Sequence, residues 1–442
     1  MPLFKAYDVR GKYPGEFNEK AAYAIARAFV LHLRPKTMLL ARDMRNSSPQ
    51  LHQAVVRGLL EQGANVLDIG LASSDLFYFA SYHLRADAGI MITASHNPGE
   101  YNGMKFVREK AIPITEDNGM RQIQQLAEQG KFPPAKPGKI REKKGMLRQY
   151  AAATLQQADR KMAKGKRVVL DAGNGMACLV AEEMFRKAGL EIIRMNFLLD
   201  GNFPGRGPNP LLNHGDIQKR VVQERADLGI AWDGDTDRVF FVDEQGNFIP
   251  GDFITGLLAK QMLAKSPGGR VVYDIRASRY VPDSIAAAGG VPLPSRVGHS
   301  FIKQLMRKEK AIFGGEVSGH YYYRYQDLYA ENGYLPAFQI LEMMAKEGKP
   351  LSALLADTHA YHISGEINFT VQDKEHVLRL LEMKYADARK AKIDGLSLDY
   401  DDWRCNVRAS NTEPLLRLNL EAKSAQLLQE KVQEITKAIT GA

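Results

Sequence analysis

The chain has only two cysteines in 442 residues, Cys178 and Cys405, far apart in sequence. That scarcity excludes a disulfide framework and a Cys-x-x-Cys metal site, and both thiols are expected to be buried and inert. Long apolar runs are missing too: no stretch of about 18 apolar residues is available to span a membrane. The start, Met1-Pro2-Leu3-Phe4-Lys5-Ala6-Tyr7-Asp8-Val9-Arg10-Gly11, carries no long apolar segment with a cleavage-like site after it, so the expected location is the cytoplasm. No basic arm is present either. The net charge is +9, but the basic residues are scattered among 51 acidic ones, a distribution that fits a small anionic ligand as well as a nucleic acid. The densest basic stretch, 141–167, overlaps a predicted helix from Met146 to Met162 and reads as a solvated face.

What is present is core material for several domains. Hydrophobic residues make up 45% and charged residues 25%, an ordinary globular composition, in a chain long enough for about three or four domains. Taken in order, Lys5–Arg10 reads as a strand with Arg10 at its end, and a helix follows across Glu19–Leu33. A βαβ unit comes next: strand Met38–Ala41, helix Ser48–Glu61 and strand Asn65–Ile69. A helix from about Asp75 to Leu84 leads to the apolar run Ala88–Ile92 and then to Ser95. The Pro-rich segment 131–138 breaks the pattern. A second β-α-β series starts at Arg167 and ends at Leu228–Asp233, and a third starts at Arg270 and ends at Ala311–Glu316. Each series finishes on an apolar strand that delivers polar residues: Ser95, then Asp233, then Glu316. After about Thr358 the pattern becomes α+β, with strand Ile367–Val371, helix Lys374–Arg389, strands near 403–407 and 415–420, and a terminal helix. An expected loop, 408–414, gathers Arg408, Ser410, Asn411 and Thr412.

Two stretches carry chemistry. Thr93-Ala94-Ser95-His96-Asn97-Pro98 follows a buried strand, and in open α/β sheets ligands gather outside strand carboxyl ends. In Asp233-Gly234-Asp235-Thr236-Asp237-Arg238, alternate carboxylates of an extended loop would face one side and converge on a hard cation such as Mg²⁺. The calcium-loop template fails here, because Arg238 stands where it needs glycine and Val239–Val242 reads as a strand. Other motifs have plainer readings. Gly173-Asn174-Gly175 lacks the third glycine and the ribose acid of a dinucleotide fingerprint and reads as a tight turn. Tyr321–Tyr325 reads as core and rim rather than a base-stacking platform. His299 by itself reads as a residue at a helix start.

The four loops together resemble those of the α-D-phosphohexomutase superfamily, particularly its phosphomannomutase/phosphoglucomutase branch. The likeness covers the whole chain: residues 93–98 match the phosphoserine loop, 233–238 the metal loop, Gly315–His320 the sugar loop and 408–412 the phosphate loop. Tyr7–Gly11, Asn102–Lys105 and Gly298–Ser300 match supporting segments. The resemblance implies three related α/β domains with mixed sheets and a C-terminal α+β domain, arranged around a central cleft. The domains are expected at 1–140 (phosphoserine), 141–245 (metal), 246–358 (sugar) and 359–442 (phosphate).

It further implies a mutase that moves phosphate between O1 and O6 of a hexose through a phosphoserine and a 1,6-bisphosphate. Catalytic residues would be Ser95, His96, Lys105, Arg10, Arg238 and His299. Substrate would be held by Glu316, Ser318, His320, Arg276, Arg408, Ser410, Asn411 and Thr412. The metal would be Mg²⁺ on Asp233, Asp235, Asp237 and Ser95, with glucose or mannose 1,6-bisphosphate as activator. Hexose phosphates are the expected partners, with no nucleic acid, membrane or obligatory protein partner. Two departures bear on sugar preference, not on reaction type: Asn332-Gly333 stands where relatives usually begin with an acid, and Arg276 where bispecific relatives often have Lys. A phosphoglucosamine mutase is the alternative, but such relatives usually show Gln where Val317 stands. A metal-dependent phosphatase or a nucleic-acid-binding module leaves some of the four loops unexplained.

Overall fold

The apolar runs that precede the first three predicted loops are strands buried along their whole length, Ala88–Ile92, Leu228–Trp232 and Phe313–Gly315. Such near-continuous apolar sequence is what a parallel strand covered on both faces requires. The structure, a computed structural model, describes residues 3–159, 164–410 and 415–441, so Asn411, Thr412 and Met162 lie outside it. The chain forms two compact units, Met1–Ile249 with Ser318–Ser352, and Pro250–Val317 with Ala353–Ala442. Among the described residues no helix is long and apolar enough to cross a membrane.

The repeat seen in the sequence is a repeated strand order. Thr37–Arg42 lies between Asn65–Leu71 and Ala88–Ile92, all parallel. Arg167–Asp171 lies in the same way between Glu191–Met195 and Leu228–Trp232. In the second unit Arg270–Asp274 lies between Val291–Ser295 and Phe313–Gly315. The first two sheets are mixed, because Tyr101–Arg108 and Val239–Val242 run antiparallel beside the functional strands Ala88–Ile92 and Leu228–Trp232. Helix Glu19–Leu33 starts where Asn18 accepts the Ala21 N–H at 3.1 Å, and it packs on the first sheet through Ile25, Phe29 and their neighbours.

Local reading misplaces the first strand, which runs Asp8–Lys12 rather than Lys5–Arg10. Pairing decides its limits: Arg10 stands opposite Gly103, in mid-strand and not at a strand end. A Cβ on Gly103 would lie 2.1 Å from the Val9 carbonyl oxygen, so only glycine admits this approach.

The C-terminal segment is an antiparallel sheet in the order His362–Thr370, Leu415–Ala422, Trp403–Ala409, Leu396–Asp399, Arg389–Ala391. Alternate residues Leu416, Leu418 and Leu420, with Cys405 and Val407, face helices Lys374–Lys384 and Ala425–Thr440. Two expectations are corrected here. The helix from Lys374 stops at Lys384, not Arg389, because Tyr385 packs edge-on against Trp403 and the chain then supplies an edge strand. Arg408 belongs to a strand, not to a loop, since the pairing with Leu415–Ala422 extends through Ala409. Cys405 is buried, whereas Cys178 is only partly so; burial pushes both thiols up to about 12, which keeps them protonated.

At the carboxyl end of each central strand stands a buried aspartate: Asp43, Asp171 and Asp274. Each accepts the backbone N–H two residues on, from Arg45, Gly173 and Arg276, at 2.9–3.0 Å. Each also pairs with a guanidinium, Asp43 with Arg45 at 3.1 Å, Asp171 with Arg206 at 2.5 Å and Asp274 with Arg276 at 2.9 Å. Removing one partner of such a pair leaves an uncompensated buried charge, which costs about 3–5 kcal/mol. Arg206→Met should therefore lower the unfolding free energy, extrapolated from urea titration followed by circular dichroism, by an amount in that range, whereas exposed Arg186→Met should leave it within about 0.5 kcal/mol.

Candidate active site

Ser95 lies three residues beyond its strand, 3% exposed, with its backbone in the left-handed region at φ +51°. A non-glycine residue there needs external support, and Arg45 supplies it. The wholly buried Arg45 guanidinium donates to the carbonyls of Ser95, Asn97 and Pro98, each at 2.7 Å, and of Tyr101 at 3.0 Å. Its partners are main-chain atoms about fifty positions away, so nothing in the sequence marks Arg45 except its place after a strand. The Ser95 hydroxyl donates to Asp233 Oδ2 at 3.2 Å and lies 3.2 Å from His96 Nδ1. Burial, with Arg238 and Arg10 nearby, pushes His96 well below the usual histidine range, so the ring beside the hydroxyl is uncharged at neutral pH.

The acidic loop is a turn, not the extended segment that alternation suggested. Thr236 sits at φ +66° and donates its N–H to the Asp233 carbonyl, while Asp233 Oδ1 accepts the Arg238 N–H. Curling brings carboxylate oxygens of Asp233, Asp235 and Asp237 within 4.8 Å of one another, all buried. Arg206 anchors the base of the turn through the Trp232 carbonyl at 2.6 Å. Burial, together with Asp237 and Asp235, pushes the Asp233 carboxyl well above the usual range. Asp235 Oδ1 is buried without a hydrogen bond. A hard-oxygen donor set with an orphaned oxygen fits a divalent cation.

One cation is already there. Lys105 Nζ lies 2.8 Å from Asp235 and 2.5 Å from Asp237, and although burial opposes its charge, these carboxylates outweigh it and hold the ammonium well above its ordinary value. Ser74, which the sequence reading missed, accepts from Lys105 at 2.8 Å and donates to Asp235 Oδ2 at 2.5 Å. Asp237 is held well below its ordinary value: burial works the other way, but Lys105 and His320, whose Nε2 is 3.4 Å off, prevail. Ser318 Oγ is 3.1 Å from the other ring nitrogen of His320. Arg238 approaches Asp233 at 3.8 Å. Arg10 pairs with Asp8 at 2.5 Å and donates to Asn97 at 2.6 Å, which ties the first strand to the serine loop. The first unit thus brings together Arg10, Ser95, His96, Lys105, the three aspartates, Arg238, Ser318 and His320.

Asn332, a departure from the family pattern, has a local task. Its side chain accepts the N–H groups of Tyr334 and Leu335 at the head of helix Leu335–Glu347 and donates to Thr154 at 3.1 Å. The next N–H, of Gly333, goes to Asp75, a buried carboxyl pushed up to about 6 by burial and also bonded by the Tyr150 hydroxyl at 2.5 Å.

The second unit holds the remaining predicted residues. Glu316 is buried and accepts the Gly298 N–H at 2.9 Å, just before His299 opens helix His299–Glu309. Val317 donates its N–H to Asp274 at 2.9 Å, so the central-strand aspartate steadies the segment after Glu316 directly. Arg276 grips Asp274 with two nitrogens, at 2.9 and 3.0 Å. Arg408 and Ser410 are buried at the end of their strand, where the Ser410 N–H bonds the Leu415 carbonyl.

Comparison with known proteins agrees with this geometry. Four models of one family match in order: phosphoglucomutase/phosphomannomutase α/β/α domains I, II and III at residues 1–134, 148–246 and 250–361, and the C-terminal domain at 366–438. A protein of Xanthomonas campestris described as phosphohexose mutases is 41% identical over 100% of both chains. The phosphomannomutase of Escherichia coli K12 is 42% identical over 97% of both. A solved phosphoglucomutase/phosphomannomutase family protein from Burkholderia thailandensis superposes with a TM-score of 0.90 at 30% identity, covering 99% of this chain and 98% of that one. By its motifs, its fold and its full-length relatives, the chain belongs to the phosphoglucomutase/phosphomannomutase family and is a hexose-phosphate mutase.

Proposed function

We propose that the chain interconverts the 1-phosphate and 6-phosphate of mannose, glucose or both through phosphorylated Ser95 and a bound 1,6-bisphosphate. The observation that carries this reading is the Ser95 hydroxyl, 3.2 Å from Asp233 at the edge of three buried carboxylates and Lys105. In the first half-reaction the bond from phosphorus to Ser95 Oγ breaks as phosphorus bonds the free sugar hydroxyl oxygen. The hydroxyl proton goes to a base and Ser95 regains one. In the second half, Ser95 Oγ loses its proton and takes the other phosphoryl group, and the sugar oxygen is protonated. The bisphosphate therefore also recharges an unphosphorylated enzyme, which makes glucose or mannose 1,6-bisphosphate the expected activator.

Mg²⁺ held by Asp233, Asp235, Asp237 and a phosphate oxygen on Ser95 would supply charge neutralisation at the transferring group. Lys105 and Arg238 add fixed positive charge there. Arg10, Lys105 and His299 are the candidates for moving the hydroxyl proton. Against burial, Asp8 holds Arg10 above its ordinary value, and Asp235 and Asp237 hold Lys105 well above its own, so both keep their charge at neutral pH. His96 orients the Ser95 hydroxyl. Glu316, Ser318 and His320 read the sugar, and Arg276, Arg408, Ser410, Asn411 and Thr412 hold the phosphate not being transferred. The segments 1–140, 141–245, 246–358 and 359–442 would each contribute one loop.

Intact-mass analysis after incubation with glucose 1,6-bisphosphate should show one added phosphate on the wild type and none on Ser95→Ala; equal labelling of both would remove Ser95 as the carrier. Asp235→Asn should weaken Mg²⁺ binding, so that activity titrated against Mg²⁺ is half-maximal at least about tenfold higher in metal. Activity that survives exhaustive chelation would exclude the metal role. Arg408→Ala should lower kcat/KM about ten- to hundredfold for mannose and glucose phosphates alike, because a charge-assisted bond to phosphate is indifferent to the sugar. Glu316→Gln should instead shift the ratio of the two, since these epimers differ at a hydroxyl.

A further inference from the structure

The polar face of the C-terminal sheet carries a carboxylate that the reaction scheme does not use, Glu366, set among arginines that it does use. Cross-strand pairing sets Glu366 and Asn368 beside Asn419 and Arg417, and these beside Asn406 and Arg408, opposite the leucine face. Glu366 reaches this face at a bulge: Ile363 pairs with Glu421 and Glu366 with Asn419, and the extra residue is absorbed with Gly365 at φ +67°. Bulges re-aim side chains in this way. The Glu366 carboxylate then meets three guanidinium groups, Arg408 at 3.3 Å and Arg276 at 3.5 Å through Oε2, and Arg417 at 3.3 Å through Oε1.

These contacts are long. Charge-assisted bonds between nitrogen and carboxylate oxygen close to about 2.7–2.9 Å, as Arg276 does with Asp274. Arg408 also has an open donor: its Nε is buried without a hydrogen bond, and burial and neighbouring Arg276 push Arg408 below its ordinary value. A phosphate dianion brings more charge and more acceptor oxygens than one carboxylate, to guanidiniums already gathered in a fork.

We propose that Glu366 is a resident counter-ion of the phosphate grip: a positioning residue that holds Arg276, Arg408 and Arg417 together when no phosphate is bound and yields its place when phosphate arrives. This rests on the reading of Arg408 as a phosphate-binding residue. The mutase cycle makes the exchange useful. A bisphosphate that must present each end in turn has to leave the grip mid-cycle, and guanidiniums without the Glu366 carboxylate would hold it back more strongly. The carboxylate, returning as the phosphate departs, lowers the cost of that departure.

Calorimetric titration of the full-length chain with inorganic phosphate tests this. Glu366→Gln keeps the shape and removes the charge, so phosphate should bind about three- to tenfold tighter, and steady-state assays should show KM and kcat falling together. Glu366→Asp, with its charge drawn back, should fall between wild type and Gln, and it decides the matter alone should the Gln variant not fold by circular dichroism. A carboxylate that merely braced the sheet would give the opposite sign, with weaker binding and a higher KM. Phosphate affinity in the folded variant that is unchanged or lower than in the wild type overturns the proposal. Arg408→Ala separates the two levels: it should weaken phosphate binding with or without Glu366, and if it does not, the grip itself is misassigned.

Discussion

Three buried aspartates at the ends of three central strands carry the architecture. An ionised carboxylate in a protein interior is tolerated only when hydrogen-bonded and paired, and Asp43, Asp171 and Asp274 each satisfy this with a backbone N–H two residues on and a guanidinium. In the first two segments the arginine's remaining donors reach the main chain of the loop that matters: Arg45 the carbonyls from Ser95 to Tyr101, Arg206 the carbonyl of Trp232 ahead of the acidic turn. In the third, the aspartate itself takes the Val317 N–H. One local solution to burying a charge thus positions the Ser95 loop, the acidic turn and the segment that holds Glu316.

Much of this was legible in the sequence because the reactive groups are contiguous. Ser95 with its flanking residues, and Asp233, Asp235 and Asp237 within five positions, sit on turns whose chemistry is written locally, and the apolar strands before them are long enough to recognise. What stayed hidden was long-range and often bonded through the main chain. Arg45 and Arg206 act on carbonyls, which every residue possesses, and Ser74 meets Asp235 across 161 positions. The curl of the acidic loop was hidden too, since a non-glycine residue at positive φ, Thr236, gives no warning in its side chain. Asn332 looked like a substrate-related departure, although it caps the next helix locally through Tyr334 and Leu335; only its bond to Thr154, 178 positions away, was beyond reach of the sequence.

The electrostatics of the serine and acidic turns follow from confinement. Three carboxylates in one buried turn cannot all be ionised without positive charge beside them, and Lys105 provides one unit of it from a neighbouring strand. The same ammonium is linked through Ser74 to the helix that begins there, so the charge balance of the turn and the packing of that helix are joined. An uncharged His96 beside Ser95 is the complementary result: burial, reinforced by Arg238 and Arg10, disfavours a further cation there.

The contact between Gly103 and the Val9 carbonyl has a consequence for assembly. Side chains on a strand alternate, so a strand that pairs one step out of phase turns every group on it to the wrong side. The strand Asp8–Lys12 lies at the edge of its sheet, paired with one strand and bridged only at Val9 to Phe4 on its other side, where such slippage is easiest. Gly103 works there as an indexing notch: Asn102 or Met104 in its place would drive a side chain into the carbonyl, so the misaligned ribbon is rejected sterically as it forms. Proofreading of the strand that carries Arg10 is thereby built into a residue with no side chain at all.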